Sequence, residues 1–146
     1  MNSPESLIDF YIAGPLFNIY EQVFQQQIET AIAELGSTFL PQRDCPQDEE
    51  KIFSACIDAV DRSRYVIANL SGIDVDSGTA FEVGYAYAKG IPVFAIRSEI
   101  AVQLPDRTIF PNVMLRDSVK VLAASIEELV DAIQSELDAI DSGEAG

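Results

Sequence analysis

Asp74, Asp76 and Glu82 fall within one short stretch, Asp-Val-Asp-Ser-Gly-Thr-Ala-Phe-Glu-Val-Gly-Tyr at 74–85. Carboxylates gathered at one cleft are what glycosidic-bond chemistry uses: one attacks the sugar, another moves the proton of the departing group. Glu82 is the candidate nucleophile, able to form a covalent glycosyl-enzyme. Near the positive end of a helix it is expected to stay ionised. Gly78 and Gly84 flank it and let a substrate approach the backbone. The run Thr79-Ala-Phe-Glu82 also spells a capping box, in which Glu82 folds back onto the Thr79 amide. Asp76 is the candidate acid, and its ordinary alternative is a helix cap or a solvated turn. Asp74 reads as loop charge.

These residues need elements to position them. The apolar run Tyr65 to Leu70 reads as a buried strand leading into the acidic turn, and a helix over Thr79 to Lys89 follows, ended by Gly90. Upstream, Leu7 to Ala13 is a strand closed by Gly14-Pro15. A helix over Asn18 to Leu35 carries Ile19, Val23, Ile28, Ala31, Ile32 and Leu35 at helical spacing, with Gly36 as its stop. Thr38 to Leu40 is a second strand, Gln42 to Glu50 a loop, and Glu49 to Arg62 a helix with Ile52, Phe53, Cys56, Ile57 and Val60 inward. Ile91 to Ile96 and Val119 to Leu122 are further strands. Residues 97 to 117 form an irregular connection between those two strands. Ser125 and Glu128 cap a last helix, Ile126 to Ile140, before a frayed tail at 141–146.

Such alternation, with continuously apolar strands, predicts an α/β fold: one domain with a doubly wound, five-stranded parallel sheet of flavodoxin-like (Rossmann-like) order 2-1-3-4-5. Its switch point lies between strands one and three, so the turns after Ala13 and Leu70 meet at one crevice. That brings Tyr11 to Phe17 against Asp74 to Glu82. Tyr11 is either a core aromatic or a phenol that holds Glu82. Phe17 either stacks on a flat base or joins the core. The Gly14-Pro15 turn has no Arg, Lys or Ser and makes a poor phosphate cradle.

Composition narrows the chemistry. With 24 acidic and 9 basic residues, the formal charge of −15 opposes nucleic acid polymers and anionic membranes. The chain has no histidine, which excludes imidazole triads and His-ligated metals. Cys45 and Cys56 have no zinc spacing and are expected as reduced thiols. The first residues lack a signal-peptide pattern, and no apolar run approaches the ~20 residues that span a bilayer. A soluble, cytoplasmic protein is expected.

Taken together, Tyr11-Ile-Ala-Gly-Pro-Leu-Phe17, Leu40-Pro-Gln-Arg43, Val66-Ile-Ala-Asn-Leu70, Asp76-Ser-Gly-Thr-Ala-Phe-Glu-Val-Gly-Tyr-Ala86 and Gly90-Ile-Pro-Val93 resemble the nucleoside 2-deoxyribosyltransferase family. The resemblance runs from residue 11 to about 115. It implies two-step, retaining transfer of 2-deoxyribose between nucleobases, as in nucleotide salvage, without a metal or organic cofactor. Glu82 then corresponds to the nucleophile, Asp76 to the residue handling the proton of the base, and Tyr11 to the tyrosine orienting Glu82. Gln42 and Phe17 match base-pocket positions, and Gly14 and Gly78 join the substrate-binding set. Asn112-Val-Met114 matches a segment that reaches the sugar hydroxyls in a neighbouring subunit's site, which implies a homo-oligomer, dimer or hexamer, with shared sites. Where relatives present a further Asp to the base, this chain has Cys56, with Asp58 two residues on and off that helix face. Arg64 stands where relatives often have Asp, and a surface role is expected. Two alternatives remain: hydrolysis of the N-glycosidic bond in nucleoside 5'-monophosphates, or a non-catalytic nucleotide-binding module, which Glu82 turned back onto Thr79 would favour.

Overall fold

A computed structural model of the chain describes residues 7–72, 74–98, 103–108 and 112–143. The expectations for the first six residues and for the end of the tail, 144–146, lie outside the described residues.

Five parallel strands form the sheet: β1 (Ile8–Ala13), β2 (Thr38–Phe39), β3 (Ser63–Asn69), β4 (Val93–Ile96) and, after two short strands β5 (Gln103–Leu104) and β6 (Arg107–Thr108), β7 (Val121–Ala123). Their order is β2-β1-β3-β4-β7, the expected 2-1-3-4-5 arrangement. The centre is the β1–β3 pair, in register from Ile8 opposite Ser63 to Ala13 opposite Ala68.

Successive strand residues face opposite sides, and each side takes its own helices. Phe10, Ile12, Tyr65, Ile67, Phe94 and Ile96 pack with Ile28 and Ile32 of α1 (Ile19–Ile32) and Leu129 and Ile133 of α6 (Ile126–Asp141). On the other side Tyr11, Ala13, Val66, Ala68 and Ala95 pack with Ala59 and Val60 of α3 (Glu49–Asp61) and Val83 and Ala86 of α4 (Ser77–Ala88). The second face is built of smaller residues, so α3 and α4 can lie close to the strand ends that deliver Tyr11 and the acidic turn.

Several expected boundaries move. Residues 42–44 are not loop: Pro41, with its fixed φ suited to a first helical position, opens the one-turn helix α2 (Pro41–Asp44). Within 97–117, β5 and β6 pair antiparallel and Val113–Arg116 forms the one-turn helix α5. β7 starts two residues later than expected, and β3 two earlier. α1 ends at Ile32, and Gly36 is no left-handed stop; a side-chain carbon there would press on the Asp9 carboxylate at 2.6 Å. Gly90, with φ of +73°, does end α4 as expected. Ser125 accepts from the Glu128 amide at 3.1 Å, forming the expected cap of α6.

Two apolar patterns do not map wholly onto the core. Ile19 and Val23 are solvent-exposed, while Gln25 of the same helix is fully buried. Ile52 and Phe53 of α3 face outward, Phe53 at 66% exposure. Among the described residues no helix is long and apolar enough to cross a membrane.

Candidate active site

The turns after β1 and β3 meet at the switch point, where an amide clasp ties the end of β3 to α1. Asn69 Nδ2 donates to Gln25 Oε1 at 3.0 Å, and Asn69 Oδ1 accepts from the Ser71 amide at 3.0 Å. Gly14 leaves room for this: a Cβ there would stand 2.4 Å from the Gln25 amide. Gln25 was not singled out from the sequence, since a glutamine between apolar helix positions carries no signal of burial.

The acidic turn then enters α4, and Asp76 is its N-cap. Asp76 Oδ2 accepts from the Thr79 amide and from Thr79 Oγ1, both at 2.9 Å. The capping box reading is thereby overturned: the Thr79 amide is satisfied by Asp76, and the helix starts two residues before Thr79. Glu82 is released from local service and lines a cavity of about 600 Å³ with Glu49, Ile52, Phe53, Cys56, Ile57, Gly78 and Phe81. That volume suits a small ligand. The rings of Phe53, which the sequence had placed inward, and Phe81 lie 6.0 Å apart at 55° and form an aromatic wall.

Glu82 Oε2 is closed off from solvent and, among the described residues, has no hydrogen-bond partner; the same holds for Tyr11 Oη. Such unmade bonds cost stability unless something engages them. Burial pushes the Glu82 pKa from 4.5 to about 7; the adjoining Tyr11 phenol opposes the rise and the Asp76 carboxylate adds to it. The expectation that Glu82 stays ionised is therefore corrected: near pH 7 the two forms are balanced, because desolvation outweighs the Tyr11 phenol. Tyr11 is fully buried, stacks on Phe39 at 5.5 Å, and is held neutral by burial and by the nearby Glu82 charge.

The structure does not bring every expected residue to this cavity. Cys56 lines it, whereas Asp58 points away and pairs with Arg62 at 2.9 Å. Gly78 lines it as well. Gln42 reaches the Gln22 carbonyl at 3.4 Å, with its own Oε1 buried and unpaired. Phe17 is 81% exposed and is no core residue, nor does it line the Glu82 cavity. Asn112 and Met114 border a different cavity on the far side of α4, with Asp74, Gly84 and Tyr87. Asn112 caps α5 and Met114 is 78% exposed. Arg64 sits at the surface beside Asp9 at 3.4 Å and over the Tyr65 ring.

Comparison with known proteins bears on this arrangement. Solved structures with a similar fold include a conserved protein from Enterococcus faecalis V583, 26% identical, covering 90% of this chain and 99% of that one, with a TM-score of 0.77. A 2-deoxyribosyltransferase from Bacillus psychrosaccharolyticus is 20% identical over 84% and 90% of the two chains, with a TM-score of 0.73. A CMP N-glycosidase from Clostridium botulinum is more distant, 17% identical over 86% and 98%, with a TM-score of 0.54. No match is found among curated proteins. The family model of nucleoside 2-deoxyribosyltransferases matches residues 10–114, which include the end of β1 with Tyr11, the acidic turn, α4 and Glu82. The chain belongs to the nucleoside 2-deoxyribosyltransferase family, enzymes that transfer glycosyl groups or cleave glycosidic bonds.

Proposed function

We propose that the protein exchanges the base of 2'-deoxynucleosides by double displacement through Glu82. The observation that carries this reading is a buried, unpartnered carboxylate on the wall of a ligand-sized cavity, beside an equally unpartnered phenol. Ionised Glu82 attacks the anomeric carbon as the glycosidic bond breaks, and Asp76 transfers a proton to the departing base. Both capping bonds fall on Asp76 Oδ2, which leaves Oδ1 for that task. An incoming base then attacks the same carbon, the glycosyl ester breaks, and configuration is retained. Tyr11 donates to the Glu82 carboxylate and steadies it as the ester forms and breaks. Apo sites often hold such bonds long until substrate arrives. Phe53 and Phe81 supply faces on which a nucleobase stacks. A missing 2'-hydroxyl favours the reaction, since an electron-withdrawing oxygen would destabilise the oxocarbenium-like transition state.

Asn112 and Met114, directed away from this chain's own Glu82, suit a role in a partner's site, so the working unit is a homo-oligomer, a dimer or a hexamer. A role in cytoplasmic nucleotide salvage follows from exchange between free bases and nucleosides. The resemblance to a CMP N-glycosidase supports a second reading, hydrolysis of nucleoside monophosphates. Incubation with deoxyinosine and adenine, and in parallel with a nucleoside 5'-monophosphate, separates the two: deoxyadenosine reports transfer, while free base and sugar phosphate from the monophosphate report hydrolysis. Trapping with a 2-fluorinated sugar analogue should label Glu82, and a label elsewhere would overturn the assignment.

A further inference from the structure

The chain's only two cysteines, 11 positions apart in sequence, place their sulfurs 3.3 Å from each other, and both are free thiols. Cys45 closes α2 and Cys56 lies on α3, where its side chain lines the Glu82 cavity. A disulfide needs sulfurs about 2.05 Å apart, so closure takes a contraction of about 1.3 Å, within reach of side-chain rotation. Both residues are partly accessible rather than sealed in the core.

We propose that Cys45 and Cys56 form a peroxide-responsive disulfide that shuts down the Glu82 pocket; its second half rests on the base-exchange reading above. Cys56 opens on the cavity and meets the oxidant first. Its thiolate attacks the peroxide O–O bond, giving a sulfenic acid and releasing one water. The Cys45 sulfur then attacks that sulfenic sulfur, forming the S–S bond and expelling a second water. The balance is two thiols and one hydrogen peroxide to one disulfide and two waters. Burial and the Cys56, Glu82 and Asp44 neighbours push the Cys45 thiol up to about 12, so it stays protonated and is not the sulfur that meets the oxidant first.

The Cys56 sulfur adjoins the Tyr11 phenol, so the bond reaches the site directly. Drawing Cys56 toward Cys45 shifts the cavity wall by about 1 Å and removes the thiol beside the phenol that positions Glu82. Displacements of that size are enough to lower a rate severely.

Treating the reduced full chain with stoichiometric hydrogen peroxide tests this. Intact mass is expected to fall by about 2 Da with loss of iodoacetamide uptake, both reversed by dithiothreitol. In Cys45→Ser the resolving thiol is gone, and dimedone is expected to trap the sulfenic acid at Cys56. Deoxyinosine–adenine exchange by the oxidised wild type should drop at least roughly tenfold and return on reduction. Unchanged mass with both cysteines still alkylated, no dimedone adduct, or a disulfide that leaves exchange intact would overturn the proposal. A reduced chain that makes no deoxyadenosine overturns the base-exchange reading instead, while mass and dimedone still decide the disulfide.

Discussion

Replacing Glu82 by glutamine should make the protein more stable and do so only where the carboxylate is charged. The native-state pKa of about 7 stands against an ordinary value of 4.5. The folded chain therefore holds this proton more tightly than the unfolded one. The associated stability is complete below pH 4.5 and drains away as pH rises toward and past 7. Integrating between pH 5 and pH 8 with these two values gives a loss of about 2.5 kcal/mol in the wild type. Glu82→Gln carries no charge to desolvate and escapes that loss. Urea unfolding of both proteins at the two pH values is the assay. The difference between variant and wild type should be about 2.5 kcal/mol more favourable to Gln at pH 8 than at pH 5. Comparing the two pH values cancels whatever the amide changes in packing. Exchange should vanish in the variant. An equal stability difference at both pH values would mean that Glu82 titrates normally, and the case for a desolvated nucleophile would fail.

Tyr11→Phe removes a buried hydroxyl that adjoins Glu82 without a formed hydrogen bond, so stability should stay within about 1 kcal/mol of wild type. Its exchange rate should drop roughly 10- to 100-fold, and the midpoint of its pH–rate profile should rise, because the phenol lowers the Glu82 pKa. Phe53→Ala should raise KM for the acceptor base roughly 5- to 50-fold by steady-state kinetics, with the melting temperature unchanged at this 66% exposed position. Gly14→Ala should cost about 1–3 kcal/mol in urea unfolding, since the new methyl must displace Gln25 from its bond to Asn69.

The order of the parallel sheet was legible because continuous apolar strands, separated by helical periods, admit few other arrangements. The candidate site came from local spacing that carries chemistry, the Asp76–Glu82 block, and the structure sets Glu82 on a cavity wall. It was ambiguous where one pattern serves two ends: Thr79-Ala-Phe-Glu82 matched a capping box until Asp76 proved to hold the Thr79 amide. Phe53 and Ile52 sit on the apolar stripe of α3, yet a stripe looks the same whether it meets a core or borders a cavity. The burial of Gln25 was invisible because its partner, Asn69, lies 44 residues away. The rise in the Glu82 pKa was equally hidden, since desolvation depends on neighbours that only tertiary packing supplies.

Asp76 and Glu82 ride on one helix, its cap and its sixth residue. At 1.5 Å per residue their backbones are about 9 Å apart along the axis. Helical side chains lean toward the amino end, so Glu82 reaches back over its own helix toward Asp76. The proposed proton donor and nucleophile thus share a single rigid ruler, not two elements that must dock in register. Breathing of the sheet or sliding of α3 can widen the cavity without spoiling the interval between the reacting groups.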